Sequence, residues 1–448
     1  MDFQEFKKAA IAASEELGVA DYELYYACEE STSAGVFKHE VNRFESGLSG
    51  GVSYRALFNG RMGYASTEKL DADEARRIVK RALDNAASLE TDEKEFLVEG
   101  GKTYRALEEE PFVMPTPEEL LAKALAGQEA LYAADPLVTD GSETESASFR
   151  YTVSIANSRG LDLTRTVQNA VLVSAAAVSD GKEMQNAYEI KAGELASISE
   201  KELAEKAVTA AKNKLGATVA PTGSYPVVFA PKAFSSLLST FSPVFSAEMA
   251  RRGLSRLAGK EGETVASPAV TLVDDPFYPE SPARMPFDAE GTPTYTKNVI
   301  ENGSLLTLLY NLKTAAAMGK ETTGNADKRS FSSPVDICPF TFYLAPGEFS
   351  EEALLEKAGE GVYIDFLGGL HAGADPISGD FSLQSAGFMI RNGKKAEPVK
   401  SFTVAGNFFD LLKGVAAVSD EVEYRGMGSS TSFASPSVLV EGLAIAGK

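Results

Sequence analysis

Residues 368–393, with the sequence GGLHAGADPISGDFSLQSAGFMIRNG, decide how the C-terminal half of this chain folds. The stretch begins with a loop rich in glycine, aspartate and serine and continues into the apolar segment 387–390. The pair Asn392-Gly393 follows, and this pair is typical of a tight hairpin turn. The pattern therefore predicts a half-buried strand that leaves a turned loop and ends at a second turn.

The loop itself, residues 368–382, has two interpretations. Its closely spaced glycines suit a backbone that takes unusual φ values or passes close to another chain. In the first interpretation, its aspartate and serine side chains hydrogen-bond to their own backbone and shape a tight connection. In the second, the loop is a ligand site; the pattern alone favours the first.

The length and composition of the chain limit its class. Its 448 residues are enough for two or more structural units, each with its own core. Hydrophobic residues make up 44% and charged residues 24%, as in ordinary globular proteins. The net charge of −21 repels a phosphate backbone, and no large cluster of lysine and arginine offsets it. We therefore expect no nucleic-acid partner.

The cysteines and the apolar runs exclude further classes. Cys28 and Cys338 lie far apart and form no CxxC pair, which argues against a disulfide framework and against a zinc ribbon. The first residues form an amphipathic pattern that predicts a helix rather than a signal peptide. No apolar run approaches the length that crosses a membrane, so we expect a cytoplasmic protein without a membrane partner.

The N-terminal half shows one pattern twice. Strands, a hairpin turn and a following helix are predicted at residues 22–87 and again at 149–215, which suggests an internal duplication. Between them, the charged, proline-broken segment 89–115 is predicted to be a linker, and a capping box at 116–119 opens the next helix. The predicted domains are residues 1–90, 91–220 and 221–448.

The C-terminal half is predicted to be mainly β. A buried strand at 225–230 precedes a helix predicted over residues 231–257. From residue 269 onward, strands and turns dominate, with short helices near 314–318, 350–358 and 408–412. We therefore predict an α+β fold, with an N-terminal α/β part built on a duplicated strand-hairpin-helix unit. Its C-terminal part is predicted to be a mostly antiparallel β core with few helices.

Several segments of the chain resemble one known family. The run His371-Ala372-Gly373, followed by residues 378–382 and by Gly387, is similar to the signature loop of the TldD/PmbA family. Further segments match that family in the same order along the chain, so the resemblance spans nearly the whole sequence. These segments are Asp274-Asp275-Pro276 and residues 287–293, 300–303, 323–326 and 436–447.

The resemblance implies a metal site in one branch of the family and its loss in the other. In the TldD branch, a metallopeptidase metal lies on an HExxxH-type helix with a further ligand near the C-terminus. The matching helix here, residues 231–257, has no histidine, and the single carboxylate of Glu248 does not hold a transition metal. The matching C-terminal region, residues 426–430, lacks a cysteine. Both departures assign the chain to the PmbA branch, also called TldE. The polar positions early in the helix are hydroxyls, which are poor zinc ligands: Ser235, Ser236, Ser239, Thr240 and Ser242.

Other sites that use histidine have weak support. His39 is followed by Glu40, but the pair lies in an alternating strand pattern, and Phe44 stands where an HExxxH motif needs its second histidine. We interpret His39 as a structural or surface residue. A Ser–His–Asp centre could use His371 and Asp380, but it depends on spatial arrangement, and no G-x-S-x-G segment is present.

Paired carboxylates are a further candidate for acid–base chemistry. Asp274 with Asp275, and Asp288 with Glu290, supply two such pairs. The prolines and glycines beside them favour turns instead.

What the resemblance implies is a metal-free, PmbA-type subunit of a two-component metallopeptidase that cleaves extended or unfolded peptides. The metal would lie on a TldD-type partner, and this chain would hold no cofactor and no catalytic residue. Its partners would be that subunit or a second copy of itself, and a peptide bound as an added strand. Peptide binding is expected in the glycine-rich loop, at His371, Gly373, Gly379, Asp380, Phe381 and Ser382.

Two other functions remain open. One is a non-enzymatic regulator that binds another protein, with DNA gyrase as the partner suggested for the family. The other is a self-standing hydrolase that uses no metal. Copurification with a TldD-type protein separates the subunit from the regulator, and peptidase assays of the isolated chain identify a self-standing hydrolase.

Because the helix at residues 231–257 has no histidine, we expect the isolated protein to bind no stoichiometric zinc or iron. Elemental analysis after dialysis measures this directly. A near-equimolar metal content that disappears in the His371→Ala variant would contradict the prediction.

Overall fold

The computed structural model describes residues 1–91, 93–108, 111–426 and 431–448. Helices and strands are mixed, and strands dominate the C-terminal half, so the predicted α+β class is confirmed. No helix within these ranges is long and apolar enough to cross a membrane. The helices are α1 (Phe3–Leu17), α2 (Ala72–Ser88), α3 (Pro117–Ala134), α4 (Glu200–Lys212), α5 (Pro231–Phe241), α6 (Ala247–Arg251), α7 (Leu312–Met318), α8 (Glu351–Ala358), α9 (Leu370–Gly373) and α10 (Phe408–Lys413).

The strands are numbered in chain order. They are β1 (Asp21–Phe37), β2 (Glu40–Phe58), β3 (Arg61–Thr67), β4 (Glu143–Asn157), β5 (Asp162–Ser179), β6 (Met184–Gly193), β7 (Thr218–Val219), β8 (Gly223–Phe229), β9 (Leu272–Asp275), β10 (Lys297–Glu301), β11 (Ser304–Leu305), β12 (Ala326–Asp327), β13 (Asp336–Ile337), β14 (Thr341–Leu344), β15 (Gly361–Gly368), β16 (Asp380–Arg391), β17 (Lys394–Asn407), β18 (Val415–Val418), β19 (Glu423–Tyr424), β20 (Ser432–Ser435) and β21 (Val438–Ala446).

The first strands form one antiparallel sheet, the N-terminal sheet, in the order β3-β2-β1-β4-β5-β6. At its centre β1 pairs with β4, from Glu23 opposite Asn157 to Phe37 opposite Glu143. Each half of the sheet consists of a helix, three strands and a helix, which matches the duplication predicted from the sequence. The boundary predicted near residue 90 thus separates two halves of one sheet, and the division into separate domains stays a prediction.

The N-terminal sheet has helices on one face and the C-terminal half on the other. Leu24 and Ala34 point to the same face of β1, because side chains alternate along a strand. Leu24 packs with α1 and α2, whereas Ala34 packs with α3. Tyr25 points to the opposite face, where it joins a cluster with Phe287 and Phe340. The centre of the sheet is therefore buried on both faces.

Two further sheets form the C-terminal half. The main C-terminal sheet has the order β18-β21-β8-β15-β16-β17-β7, and the minor C-terminal sheet has the order β11-β10-β9-β14-β20-β19. Parallel pairs join β8 to β15, β14 to β20 and β7 to β17, while the other described pairs in these sheets are antiparallel. Helix α5 contacts both sheets, and its Phe234, Leu237 and Phe241 side chains are fully buried.

The turn predicted at Asn392-Gly393 is confirmed. These residues have φ values of 51° and 73° and join β16 to β17. Positive φ at both central positions is the type I′ geometry that Asn-Gly favours.

The prediction of a single helix over residues 231–257 is wrong, because the segment contains two shorter helices. Helix α5 ends at Phe241, a 3-10 turn covers Ser242–Phe245, and α6 covers only Ala247–Arg251. Pro243 lies in the turn, where it has no N–H to donate and where its ring would clash with the preceding helical turn. The proline was therefore the local signal for this helix end.

The strand predicted across His39 is interrupted by a hairpin turn. Lys38 and His39 have φ values of 52° and 62°, and they join β1 to β2 as a two-residue connection. The His39 ring is exposed and stacks on Tyr132, with 4.2 Å between the ring centroids. The interpretation of His39 as a surface residue is confirmed, although its backbone conformation was predicted wrongly.

A buried ion pair lies where the N-terminal sheet meets the C-terminal half. Arg55 on β2 is 2.7 Å from Glu23 on β1, and both side chains are buried. Arg55 also lies 4.0 Å from Glu290 of the C-terminal half, and Lys328 donates a hydrogen bond of 2.7 Å to Ser53. Burial raises the pKa of Glu23 in spite of the nearby charges of Arg55 and Lys328. The carboxylate therefore depends on these cations to remain charged.

The carboxylates of Asp288 and Glu290 act as structural acceptors. Asp288 accepts hydrogen bonds from the N–H groups of Glu290 and Thr292, each at 2.9 Å, and from the N–H of Ala326 at 3.0 Å. Glu290 accepts one from the N–H of Leu312 at 2.9 Å. Burial raises the pKa of both carboxyls. These contacts confirm the turn interpretation of the pair.

Because removing one member of a buried ion pair leaves the other without a counter-charge, Arg55→Met should lower the free energy of unfolding by about 3–5 kcal/mol. Arg76→Met provides the control: the Arg76–Glu16 pair is exposed, so its loss should change stability by less than about 1 kcal/mol. Urea denaturation at pH 7 measures both.

The double variant Glu23→Met/Arg55→Met removes both charges together, and it should recover much of the stability that Arg55→Met loses. Equal losses in Arg55→Met and Arg76→Met would show that the buried pair has no special role.

Candidate functional site

A cavity of about 700 Å³ opens between the two halves of the chain, and we call it the interface cavity. The N-terminal half contributes residues of β6 and of the end of α4, while the C-terminal half contributes the start of α5, β15 and the segment around β19. The residues that matter most for its chemistry are Tyr188, Glu189, Lys214, Lys232, Glu351, Tyr363, Asp365 and Arg425. A volume of this size holds several amino-acid residues of a ligand.

Parallel pairing positions two of these side chains at one edge of the main C-terminal sheet. Phe229 of β8 lies opposite Ile364 of β15, and the N–H of Ala230 donates a hydrogen bond of 2.9 Å to the carbonyl of Ile364. The carboxyl ends of parallel strands meet at the same edge, which is where open α/β sheets bind ligands. Lys232 follows β8 at this edge, and Asp365 lies near the carboxyl end of β15.

A β-bulge sets Asp365 apart from its neighbours. The pairing of β15 with β16 shifts register between Ile364 and Phe366, so Asp365 is the extra residue. Bulges of this kind redirect a side chain. The Oδ1 atom of Asp365 is buried without a hydrogen-bond partner, and burial raises the pKa of its carboxyl.

The two lysines of the cavity have no carboxylate partner within ion-pair distance in the described ranges. Lys214 donates a hydrogen bond of 3.1 Å to the carbonyl of Asn186. The Lys232 ammonium lies 4.1 Å from the ring centroid of Tyr188, a cation–π distance. Burial lowers the pKa of both lysines, since it disfavours their charged forms.

Other charged side chains of the cavity are matched by direct ion pairs. Glu351 accepts hydrogen bonds from Lys395 at 2.7 Å and from the Tyr363 hydroxyl at 3.0 Å. Arg425 lies 3.0 Å from Glu189 and also pairs with Glu423. Among the charged residues that matter most for the chemistry of the cavity, the ones without an ion pair at 4.0 Å or less in the described ranges are therefore Lys214, Lys232 and Asp365.

The polar side chains of α5 do not fit a transition metal. Hydroxyl groups of this helix donate back to the carbonyl one turn earlier, at 2.8 Å for Ser235 to Pro231 and 2.8 Å for Thr240 to Ser236. No three His, Cys, Asp or Glu side chains converge on a possible ion site in the part of the chain that the structure describes. Of the C-terminal segment that matches the family's further ligand, residues 427–430 lie outside the described residues.

The loop at residues 368–382 lies next to the interface cavity in sequence but does not line it. His371, Asp380 and Ser382 are exposed, whereas Phe381 is 4% exposed and packs edge-on against Phe241 with 6.3 Å between ring centroids. No hydrogen bond or ion pair joins His371 to Asp380 within the described part of the chain, so the His–Asp contact that a Ser–His–Asp centre requires is missing here. Peptide binding by the loop stays a prediction.

Hydrogen bonds from Asn407 fix the shape of this loop. Its amide donates to the carbonyl of Ser378 at 2.9 Å and to Asp380 Oδ1 at 2.8 Å. The bond from Asn407 lowers the pKa of Asp380.

Two glycines of the loop have no room for a side chain. Gly379 has a φ of 82°, and a Cβ there would lie 2.6 Å from the ring of Phe409. Gly373 is equally restricted, since its Cβ would lie 2.4 Å from the carbonyl oxygen of Ser382. The glycines at 373 and 379 are therefore required by the fold of the loop itself.

Sequence reasoning missed the interface cavity. Its lysines lie in separate segments, and nothing local indicates that Lys214 and Lys232 approach the same space. One usable signal was present: a charged residue follows the buried apolar run within two positions at both VVFAPK and GVYID. Such residues at the carboxyl ends of strands are candidates for binding when the strands prove to be parallel.

Comparison with known proteins places these features in a family. Profiles described as PmbA/TldA metallopeptidase domain 1, central domain and C-terminal domain match residues 22–86, 110–215 and 222–447. The metalloprotease PmbA of Escherichia coli O157:H7 is 25% identical over 90% of this chain and 88% of its own length. A metalloprotease of Methanothermobacter thermautotrophicus is 28% identical over 85% of this chain and 84% of its own length.

Solved structures share the whole fold. A proposed modulator of a DNA gyrase from Thermotoga maritima has a TM-score of 0.88 and 32% identity, covering 99% of this chain and 100% of that one. TldE from Thermococcus kodakarensis has a TM-score of 0.88 over 99% of this chain and 100% of its own, at 23% identity, a level that supports the shared fold alone.

The tight surroundings of Gly379 lead to a stability prediction. Gly379→Ala combines a left-handed backbone with overlap on Phe409, whereas Gly369→Ala, at φ 73°, meets nothing within 4 Å. We expect Gly369→Ala to lose about 1–2 kcal/mol of unfolding free energy, and Gly379→Ala about 1–3 kcal/mol more. Urea denaturation of the two variants tests this.

If the two variants lose the same stability, the ring of Phe409 moves aside and the contact does not restrict position 379. A Gly379 substitution is thus a poor probe of substrate approach. Asp380→Asn, at an exposed side chain, is the better probe of peptide binding by this loop.

Proposed function

Because this chain belongs to the PmbA/TldD metallopeptidase family, we propose that it is the metal-free, PmbA-type subunit of a two-component peptidase. The observation that carries the proposal is the chemistry of α5. At the helix that matches the metal-binding helix of the TldD branch, this chain has hydroxyls that bond to their own backbone. Hydroxyl side chains are poor ligands for zinc, and this helix contains no histidine that could bind the metal instead.

In this proposal the TldD-type partner supplies the metal and the bond-breaking chemistry. This chain supplies walls of the peptide chamber, and it holds the substrate in an extended form. Strand β19 supports such a role, because it lies at the edge of the minor C-terminal sheet and Glu423 of this strand lines the interface cavity. An edge strand offers unpaired N–H and C=O groups to an extended peptide.

A second candidate function is favoured by the name given to the Thermotoga maritima structure, a proposed modulator of a DNA gyrase. In that role, the chain would bind another protein without cleaving peptides. The two candidates differ in one requirement, since only the peptidase subunit needs a TldD-type partner for its activity.

Coexpression with a TldD-type protein from the same source tests the proposal. We expect the two chains to copurify in a fixed ratio and to cleave an unfolded peptide together, while this chain alone leaves the peptide intact. Changing the glutamate of the partner's HExxxH motif to glutamine should abolish cleavage, because that residue acts with the metal. Size-exclusion chromatography and a fluorogenic peptide assay provide the measurements.

The Thr240→Ala variant of this chain is the matched control, and it should leave cleavage by the pair unchanged. Peptide cleavage by this chain alone, or failure of the two chains to associate at micromolar concentration, would overturn the proposal. Failure to associate would instead favour the regulatory candidate.

A further inference from the structure

The interface cavity contains three charged groups that the protein matches only in part, because Asp365 attracts Lys214 and Lys232 electrostatically without a direct ion pair. Lys214, Lys232 and Asp365 line the same space, and no ion pair at 4.0 Å or less joins any of them to another described residue. Charged groups that are partly removed from water are normally paired, because desolvation disfavours the charged form. An unmatched set in a cavity therefore indicates a ligand that supplies the missing charge.

The sign of the unmatched charge points to a carboxylate. Arg425 is neutralised by Glu189 and Glu423, and the two lysine ammonium groups outnumber the Asp365 carboxylate, so a positive charge is left for a ligand. Lys232 lies in the first turn of α5, where Ala230 provides no capping side chain for the free N–H groups. This helix end adds to the positive potential on the same side of the cavity.

The remaining features fit the end of a peptide better than a small anion. Asp365 lines the cavity, and its carboxylate can accept a hydrogen bond from the last peptide N–H next to a terminal carboxylate. The cavity volume of about 700 Å³ exceeds the needs of inorganic phosphate. Exposed acids at the opening repel polyanions and attract basic side chains: Glu352, Asp420 and Glu421.

We propose that the interface cavity binds the carboxyl terminus of an extended peptide, with the terminal carboxylate on Lys214 and Lys232 and the last peptide N–H on Asp365. The inference rests on the proposed peptidase subunit and names the part of the substrate that this chain recognises. The burial that lowers the pKa of the two lysines agrees with it, since a bound carboxylate would stabilise their charged forms.

Fluorescence anisotropy with the full chain tests the inference. The probes are an octapeptide labelled with fluorescein at its amino end and bearing a free carboxyl end, and the same octapeptide ending in a carboxamide. We expect the acid to bind at least about tenfold more tightly than the amide, the effect of one charged contact. Lys214→Met and Lys232→Met should each weaken the acid about tenfold and leave the amide unchanged. Lys206→Met, at an exposed lysine of α4, is the matched control and should change neither.

The inference would be overturned by equal affinity for acid and amide, by no binding of either peptide at millimolar concentration, or by an unchanged acid affinity in both cavity variants. An amidated peptide with a glutamate at its last position separates a side-chain carboxylate from a terminal one, and equal binding of that peptide would overturn the preference for an end. Melting temperatures confirm that the variants are folded.

The pairing experiment keeps this inference distinct from the proposed function. Lys232→Met should still copurify with the TldD-type partner, because Lys232 lies in a cavity of this chain. If the chain pairs normally but binds the acid and the amide peptides equally, the inference is wrong and the subunit role still stands. If the chain prefers the acid peptide but pairs with no TldD-type protein, the subunit role is wrong and the cavity is still a site for a peptide end.

Discussion

The parallel pairing of β8 with β15 is the constraint on which the C-terminal half depends. Parallel neighbours cannot be joined by a short turn, so the chain must leave the main C-terminal sheet after Phe229 and return to it at Gly361. The connection has the length to form α5 and most of the minor C-terminal sheet. Because α5 starts at the edge where both strands end, its apolar face is buried between the two sheets. The same geometry leaves the first turn of the helix and Asp365 facing one cavity.

The structure also explains how α5 can keep its position in the fold without histidine ligands for a metal. The buried side chains Phe234, Leu237 and Phe241 hold α5 against the sheets by apolar packing. Serine and threonine in its other positions satisfy their hydroxyl groups on carbonyls of the preceding turn. Packing of the helix and chemistry of its polar face are therefore separable, and the family resemblance alone does not imply a metal in every member.

The features that the sequence predicted correctly are those that depend on residues close together along the chain. The Asn392-Gly393 turn depends on residues within a few positions, and it was predicted correctly. The break at Pro243 and the turn at Lys38-His39 were also local, but the longer helical and alternating patterns around them concealed both. The pairing of β1 with β4 joins residues more than a hundred positions apart, so no local pattern showed that the duplicated units share a sheet.

The candidate site illustrates the same limit. Glycines in the loop at residues 368–382 suggested an approaching substrate, yet the neighbour that requires a glycine at position 379 is Phe409, distant in sequence. The interface cavity needs β6, α4, α5 and β15 together, and only the tertiary structure brings them to one place.

Two buried sets of charges in this protein show how a structural network differs from a binding site. Glu23 and Arg55 lie 2.7 Å apart and nearly inaccessible to water, so each supplies the other's counter-charge directly, with Lys328 adding a second positive charge near Glu23. Lys214, Lys232 and Asp365 are less buried and lie at a cavity, where the protein gives them an aromatic ring, a carbonyl and no ion pair within 4.0 Å among the described residues. Such an arrangement opposes folding, because the attraction of Asp365 for the two lysines and their other contacts replace only part of the water that these groups lose. A fold tolerates that loss where a bound molecule later provides the partner, and a peptide end that carries a carboxylate beside an N–H has both of the groups that these side chains lack.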